Sequence, residues 1–196
     1  MHNRTLRCGL TLVLLVGHLS GCGDRVENPP VGEGSGQFPT GSAFESYVQE
    51  VMVKRQIPGV AMAIVDRNAE GAAAVAGALG GIAVHADLMQ PGASAAAIAE
   101  VTERLGPPLI LVNCAGYQTV VPIADFDETI WRQMLELMLT VPFLLTKACW
   151  PGMVAAGWGR IVNLSSIHGL IASPNKSAYT AAKHGLVGFT RATAVE

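Results

Sequence analysis

Three side chains near the end of the sequence have the types and the spacing of an acid–base site. Tyr179 and Lys183 lie four residues apart, so in a helix they face the same way. A phenol titrates at about pH 10 and exchanges protons poorly at neutral pH, but a nearby ammonium favours the phenolate. The hydroxyl of Ser166, thirteen residues before Tyr179, can hold a substrate oxygen beside them. The set predicts a proton donor and acceptor at the point where a hydride leaves or reaches a carbon atom.

Polar and small residues follow three apolar segments that are typical of buried strands. Asp66 follows the first segment, Asp87 follows the second, and Asn113, Cys114, Ala115 and Gly116 follow the third. In doubly wound sheets, ligands bind beyond the carboxyl ends of the strands. A carboxylate at the position of Asp66 can accept hydrogen bonds from both hydroxyls of an adenosine ribose and repels a 2′-phosphate, which favours NAD over NADP. The small residues of the third segment let a flat cofactor approach the backbone closely.

The segments that must position these residues alternate between strand and helix patterns. The predicted strands are apolar throughout, and such alternation indicates an α/β fold with a doubly wound parallel sheet. The longest helix has a capping-box-like start at Asp125-x-x-Glu128, and Pro142 is expected to kink or divide it. The predicted strands are residues 57–65, 81–85, 109–112 and 161–164, and the predicted helices are residues 44–56, 69–79, 91–105, 125 onward and 175 to the end.

These motifs, in this order and at this spacing, resemble the short-chain dehydrogenase/reductase family. The resemblance rests on residues 113–116, residues 159–166 and Tyr179-x-x-x-Lys183, and it runs from about residue 59 to the end of the chain. It implies a Rossmann-like fold, a nicotinamide cofactor and a homo-oligomer. It also implies that Tyr179 is the general acid/base and that Ser166 orients the substrate oxygen. Lys183 would favour the phenolate of Tyr179 and bind the nicotinamide ribose.

Within that family, the residues around the site are similar to the enzymes that oxidise 3-hydroxybutyrate to acetoacetate. In those enzymes the residues matching Gln118, His168 and Lys176 bind the substrate carboxylate, while those matching Ser166 and Tyr179 contact the reacting oxygen. A cation with two neutral polar side chains suits a small carboxylate. The resemblance therefore implies an NAD-dependent oxidoreductase whose substrate is a small hydroxy or keto acid.

Three features depart from the family pattern. The family begins with a strand and a Thr-Gly-x-x-x-Gly-x-Gly turn that holds a pyrophosphate, and no such turn precedes residue 59. The catalytic asparagine of the long helix aligns with Met138, which cannot replace its hydrogen bonds, and Cys114 stands for a second asparagine. The family also continues beyond residue 196. We therefore expect an incomplete Rossmann-like sheet that lacks the first strand and the C-terminal elements, and a polypeptide that binds NAD weakly or not at all.

The first 43 residues have a different composition. Arg4 and Arg7 precede an apolar run at residues 10–19, and Leu19-Ser20-Gly21-Cys22 resembles a bacterial lipobox, so residues 1–22 predict a secretory signal with lipidation of Cys22 and membrane anchoring. The alternative is a chance apolar segment. Residues 23–43 predict a flexible linker and residues 44–196 a partial dehydrogenase domain. A lipobox indicates export whereas NAD chemistry indicates the cytoplasm, so the localisation stays open.

Composition excludes some classes of function. A net charge of −2 without a dense Lys/Arg run argues against nucleic-acid binding, and the four cysteines and five histidines show no metal-ligand spacing. Two further classes stay open. One is a non-catalytic lipoprotein or interaction module that retains the fold. The other is a serine hydrolase, because residues 44–65 resemble the start of a β-lactamase-related hydrolase and Ser173 to Lys176 spell S-x-x-K.

Overall fold

The computed structural model describes residues 12–17 and 60–196 of the chain. The predicted alternation of strands and helices is confirmed from residue 60 onward. The predicted linker at residues 23–43, the helix at residues 44–56, Cys22 and the rest of the signal segment outside residues 12–17 lie outside the described residues. The elements are β1 (Leu12–Gly17), β2 (Val60–Asp66), α1 (Ala69–Ala78), β3 (Ile82–His85), α2 (Ala93–Leu105), β4 (Ile110–Asn113), α3 (Glu128–Leu135), α4 (Val141–Ala155), β5 (Arg160–Asn163) and α5 (Ser177–Thr193), with short 3₁₀ turns at Ile123–Asp125 and Ile167–Gly169.

The sheet has five strands in the order β3-β2-β1-β4-β5. β2 is parallel to β3, and β4 is parallel to β5. The place between β2 and β4 is taken by β1, which runs antiparallel to β4 with Val13 opposite Val112 and Leu15 opposite Ile110. The partial Rossmann-like α/β sheet is thus confirmed, and its central position holds a strand from the run predicted as the signal core. An apolar run suits this place, because β1 covers strand edges that would otherwise be bare.

The two faces of the sheet are covered by helices because side chains alternate along each strand. On β2, Ala63 and Val65 face a core built by α2 and α4, whereas Ile64 faces Ala72 and Ala76 of α1. Leu111 of β4 is fully buried in the first of these cores, so its truncation to alanine would cost about 2–5 kcal/mol of stability. The chain order β-α-β with helices on both faces is the doubly wound arrangement predicted from the sequence.

The helix ends follow local capping chemistry. Asn68 caps α1 by accepting a hydrogen bond of 3.0 Å from the backbone N–H of Gly71. Asp127 caps α3 by accepting from the backbone N–H groups of Thr129 and Ile130 at 2.7 and 3.0 Å. The start predicted at Asp125 was therefore wrong by two residues, because Asp125 belongs to the preceding 3₁₀ turn.

The long helix is continuous but changes its winding before Pro142. Residues Glu136–Thr140 form a π-helical turn between α3 and α4. Pro142 has no N–H to donate to the carbonyl of Met138, which disturbs the α-helical ladder at this point and confirms the predicted division. The stretch Glu128–Ala155 has 28 residues and a mean hydropathy of 1.4 in its most apolar window, enough by length and composition to cross a membrane. Its side chains at Met134, Leu145 and Cys149 are nevertheless buried in the domain, as in a core helix.

Candidate active site

The polar residues that follow the parallel strands meet at one edge of the sheet. β2 ends at Asp66 beside the end of β3, and β4 ends at Asn113 beside the end of β5. Burial raises the pKa of Tyr117, which follows β4, and the charge of Arg67, directly after β2, opposes that shift. The ends of β2 and β4 therefore lie within electrostatic reach of each other. This is the edge at which doubly wound sheets bind ligands.

Two carboxylates lie on the β2–β3 side of this edge. Oδ1 of Asp66 accepts a hydrogen bond of 2.7 Å from the backbone N–H two residues later. Asp87 accepts hydrogen bonds from the side-chain amide of Gln90 at 3.0 Å and from the backbone N–H of Met89 at 3.1 Å. The hydrogen bond from Gln90 is the main reason why the pKa of Asp87 is lowered. Burial acts against this lowering, whereas the Met89 N–H and the charge of the arginine after β2 add to it. Asp87 is therefore an anion at neutral pH and is held in a tight turn.

A chain of hydrogen bonds ties the ends of β4 and β5 to α5. Nδ2 of Asn113 donates to Oδ1 of Asn163 at 2.8 Å, and Nδ2 of Asn163 donates to Oγ1 of Thr190 at 2.9 Å. Asn113 is only 5% exposed, and its own Oδ1 has no hydrogen-bond partner among the described residues. The sequence analysis missed Asn163 and Thr190; the single polar residue Asn163 between apolar neighbours of a strand was the available signal. These hydrogen bonds fix α5, the helix that carries Tyr179, relative to the ends of β4 and β5.

Lys183 is the most deeply buried of the predicted catalytic residues. It is 5% exposed, and its Nζ donates a hydrogen bond of 2.6 Å to the carbonyl oxygen of Leu164, just past β5. The same Nζ lies 5.7 Å from the ring centroid of Tyr179, a cation–π distance. Burial lowers the pKa of Lys183, and the charge of Cys114 opposes that shift. The structure therefore brings Lys183, Tyr179 and the residues after β4 and β5 together, as the spacing predicted.

His168 joins Ser166, the serine predicted to be catalytic, to the rest of the site. Its Nδ1 lies 3.4 Å from Oγ of Ser166, whose oxygen also accepts the backbone N–H of His168 at 3.2 Å. Its Nε2 lies 3.0 Å from Oγ of Ser173 and 3.5 Å from Nζ of Lys176. The imidazole packs edge-on against the ring of Tyr179, with centroids 5.8 Å apart. Ser166, Lys176 and Tyr179 thus surround a single imidazole.

The loops that carry Gln118 and Lys176 are fastened to each other. The backbone N–H of Val121 donates a hydrogen bond of 2.9 Å to the carbonyl oxygen of Asn175. Asn175 has a positive φ of 63°, a conformation that asparagine adopts more easily than most residues and that turns the chain just before Lys176. The buried Nε2 of Gln118 has no hydrogen-bond partner in the described part of the chain. An unsatisfied amide beside a lysine loop is suited to an anionic or carbonyl-bearing ligand.

Met138 fills the space behind Tyr179 with apolar atoms. It is 1% exposed and packs in a cluster with Met134, Ala178 and Ala182 that Tyr179 borders. A Cβ on Gly116 would lie 3.1 Å from the sulfur of Met138, so the glycine also permits this close approach. As the sequence led us to expect, the site therefore has apolar atoms of Met138 at a place where the family has a polar side chain.

Other features of the described residues lie apart from this site. Within residues 12–17 and 60–196, no three His, Cys, Asp or Glu side chains form a group able to hold a metal ion. A cavity of about 650 Å³ borders β5 between α4 and α5, with Trp158, Arg160 and Thr190 in its walls. It contains neither Ser166 nor Tyr179 in its lining.

Comparison with known proteins agrees with this geometry. The model of the family described as "short chain dehydrogenase" matches residues 50–196. Among solved structures, the gluconate 5-dehydrogenase from Burkholderia cenocepacia J2315, in complex with NADP and tartrate, is 30% identical and superposes with a TM-score of 0.64 over 68% of this chain and 54% of that chain.

Two curated relatives are D-beta-hydroxybutyrate dehydrogenases. The protein from Rhizobium meliloti (strain 1021) is 44% identical over 124 residues, which is 62% of this chain and 48% of the relative. The protein from Cupriavidus necator is 53% identical over 87 residues, which is 44% of this chain and 34% of the relative. The resemblance stated from the sequence is thereby confirmed. The chain spans half or less of the length of these two relatives.

Proposed function

Because this chain belongs to the short-chain dehydrogenase family, we propose that it is an NAD-dependent oxidoreductase that interconverts a small 3-hydroxy acid and its 3-keto acid, 3-hydroxybutyrate and acetoacetate. One observation carries the proposal. Ser166, Lys176 and Tyr179 surround the imidazole of His168, and the buried ammonium of Lys183 lies 5.7 Å from the Tyr179 ring. The hydroxybutyrate dehydrogenases among the relatives support the choice of substrate.

The strand ends fit much of a nicotinamide dinucleotide. Asp66 would hold the adenosine ribose and disfavour a 2′-phosphate, which supports NAD over NADP. The segment from Asn113 through Cys114 and Ala115 to Gly116 is small enough for close approach, and the orphaned Oδ1 of Asn113 offers an acceptor there. Asp87 would lie beside the adenine. When bound, the cofactor supplies the hydride acceptor.

The pyrophosphate is the part of the cofactor that the described residues would hold least well. In the family the first strand leads into the turn that cradles it. Here β1 runs antiparallel to β4, so the carboxyl end of β1 points away from Asn113. We therefore expect weaker binding of NAD than a complete cradle would provide.

The protein's own groups can move the proton of the reaction. As the hydride leaves C3 of the hydroxy acid, its hydroxyl proton passes to the phenolate oxygen of Tyr179. Ser166 would hold the same substrate oxygen by a hydrogen bond, and Lys183 would favour the phenolate and hold the nicotinamide ribose. Lys176 and Gln118 would bind the carboxylate, the lysine as a charge and the amide as a hydrogen-bond donor, and His168 would line the same pocket.

The decisive experiment compares substrate turnover in matched variants of the full chain. NADH formation from D-3-hydroxybutyrate should be lost in Tyr179→Phe, which removes only the hydroxyl, while NAD binding measured by calorimetry persists. Lys176→Met should raise KM for the acid about tenfold or more. Lys147→Met, an exposed lysine on α4, serves as the matched control and should leave KM unchanged. Undiminished turnover in Tyr179→Phe, or no turnover by the unmodified chain, would overturn the proposal.

The predicted lipoprotein is a second candidate, and it can be tested because its processing would change the sheet. Lipidation at Cys22 makes that residue the new N-terminus, so it would remove residues 12–17 and with them β1. The five-stranded sheet and the processed lipoprotein are therefore mutually exclusive states of this chain. Mass spectrometry of the N-terminus after bacterial expression separates them, because an intact Met1 terminus is incompatible with lipobox processing. The oligomeric state suggested by the family is measured on the same sample by sedimentation.

The serine-hydrolase alternative has one contact in its favour. Oγ of Ser173 lies 3.0 Å from Nε2 of His168. The other ring nitrogen faces Ser166, however, and within residues 12–17 and 60–196 the imidazole has no hydrogen bond to the acidic partner that orients a catalytic base. Absence of labelling of Ser173 by a fluorophosphonate is the expected result.

A further inference from the structure

The imidazole of His168 has three polar neighbours whose chemistry determines where its proton lies. Lys176 offers only donors, since an ammonium has no acceptor, and its Nζ is 3.5 Å from Nε2. A proton on Nε2 would therefore point toward a cation. The Ser173 hydroxyl, at 3.0 Å from the same nitrogen, can donate to it. The ammonium therefore favours a lone pair on Nε2, and the serine hydroxyl can supply a hydrogen bond to it.

With Nε2 as the acceptor, the proton of the neutral ring lies on Nδ1. That nitrogen is 3.4 Å from Oγ of Ser166, and the backbone N–H of His168 reaches the same oxygen at 3.2 Å. A serine hydroxyl has two acceptor sites and one proton. Two donors from His168 occupy both acceptor sites, so the hydroxyl proton of Ser166 is left to point at the substrate. The Nδ1 contact is long, as catalytic hydrogen bonds often are without substrate.

We propose that Ser173 and Lys176 hold His168 as the Nδ1–H tautomer and thereby make Ser166 a hydrogen-bond donor toward the substrate oxygen. Ser173 is then a positioning residue, since it acts through the imidazole and touches no reacting atom. A donor at this place stabilises the negative charge that develops on the substrate oxygen during hydride transfer. The catalytic half of this inference rests on the proposed function, whereas the tautomer does not.

The arrangement also gives different roles to the polar residues around the proposed carboxylate site. An Nε2 that accepts a hydrogen bond cannot donate one to a carboxylate. The carboxylate is therefore left to Lys176 and to the unsatisfied amide of Gln118, and the main effect of His168 is on Ser166. Loss of Ser173 should accordingly change kcat more than KM.

The tautomer is tested on the full chain by NMR of ¹⁵N-histidine, with the His168 signals identified by their loss in His168→Gln. The unmodified protein should show a protonated Nδ1 and an unprotonated Nε2. Lys176→Met and Ser173→Ala should each increase the population protonated on Nε2. Ser94→Ala, which removes a buried hydroxyl from α2, is the matched control and should change nothing. A predominant Nε2–H tautomer in the unmodified protein, or an unchanged tautomer in Lys176→Met, overturns the proposal.

The link to Ser166 is tested by two substitutions that mimic single ring nitrogens. The amide of asparagine can stand in for Nδ1–H, whereas the amide of glutamine reaches the position of Nε2. Acetoacetate reduction should be retained better by His168→Asn than by His168→Gln, and Ser173→Ala should lower kcat about tenfold with little change in KM. Equal loss in both histidine variants overturns the link. A chain without turnover refutes the proposed function, while the NMR result still decides the tautomer.

Discussion

Replacement of Lys183 by methionine removes a buried charge while keeping most of the side-chain volume. In the structure the ammonium is 5% exposed and donates one hydrogen bond of 2.6 Å, to the carbonyl oxygen of Leu164. Burial lowers its pKa below the ordinary value of 10.5, with an opposing contribution from Cys114. Each unit of this lowering corresponds to about 1.4 kcal/mol by which the folded state disfavours the charged form.

Two contributions of similar size to the free energy of unfolding therefore oppose each other at neutral pH. Desolvation of an ammonium costs several kcal/mol, roughly, and a hydrogen bond to a charged group returns about 1.5–3 kcal/mol. Lys183→Met relieves the first term but leaves the Leu164 carbonyl without its partner. We expect the free energy of unfolding to change by less than about 2 kcal/mol, although hydride transfer is lost.

The pH dependence separates this account from a purely structural role. Below the pKa of folded Lys183, both the folded and the unfolded chain hold the proton, and the folded state carries the full cost of the buried charge. As the pH rises toward 10.5, the folded state releases the proton first, so its stability increases relative to Lys183→Met. Urea unfolding of both proteins from neutral pH to about pH 10 measures the difference. A difference that is constant or falls with pH would refute the reasoning.

Three further outcomes follow from packing and burial. Gly152→Ala in α4 should lower the free energy of unfolding in urea by about 1–2 kcal/mol, because the new Cβ would lie 2.8 Å from a proline ring carbon. Gly188→Ala in α5 is the comparison: its Cβ would meet no described atom within 4 Å, so the free energy of unfolding should rise by up to about 1 kcal/mol. Burial raises the pKa of Cys149 to about 12, so peptide mapping after iodoacetamide treatment at pH 8 should find it unmodified, with only about 10⁻⁴ of it as thiolate, while half-buried Cys114 reacts. Met138→Asn should cost about 1–3 kcal/mol, because its amide would enter an apolar cluster; equal stability in urea would contradict that packing.

Much of the site could be predicted because its spacing is local. Tyr179 and Lys183 face the same way through the period of one helix, and Asp66, Asp87 and Asn113 end apolar strands whose carboxyl ends had to meet. Such relations depend on the periods of helices and strands and on the way parallel strands align, and they can be recognised in the amino-acid sequence. The start of α3 was misplaced by two residues because Asp125 and Asp127 are equally good capping residues, and packing chose between them.

The amino-acid order by itself determined the α/β class and the family and predicted a catalytic tyrosine and lysine, since each depends on patterns within one element or between neighbours in the chain. Only the tertiary structure decided that Leu12–Gly17 lies antiparallel at the centre of the sheet and that Asn163, Thr190, Ser173 and His168 join the site. Those facts depend on which distant strand edge or polar atom finds a partner once water is excluded. Periodicity carries no information about that choice, because it records the face a residue occupies and not what lies across from it.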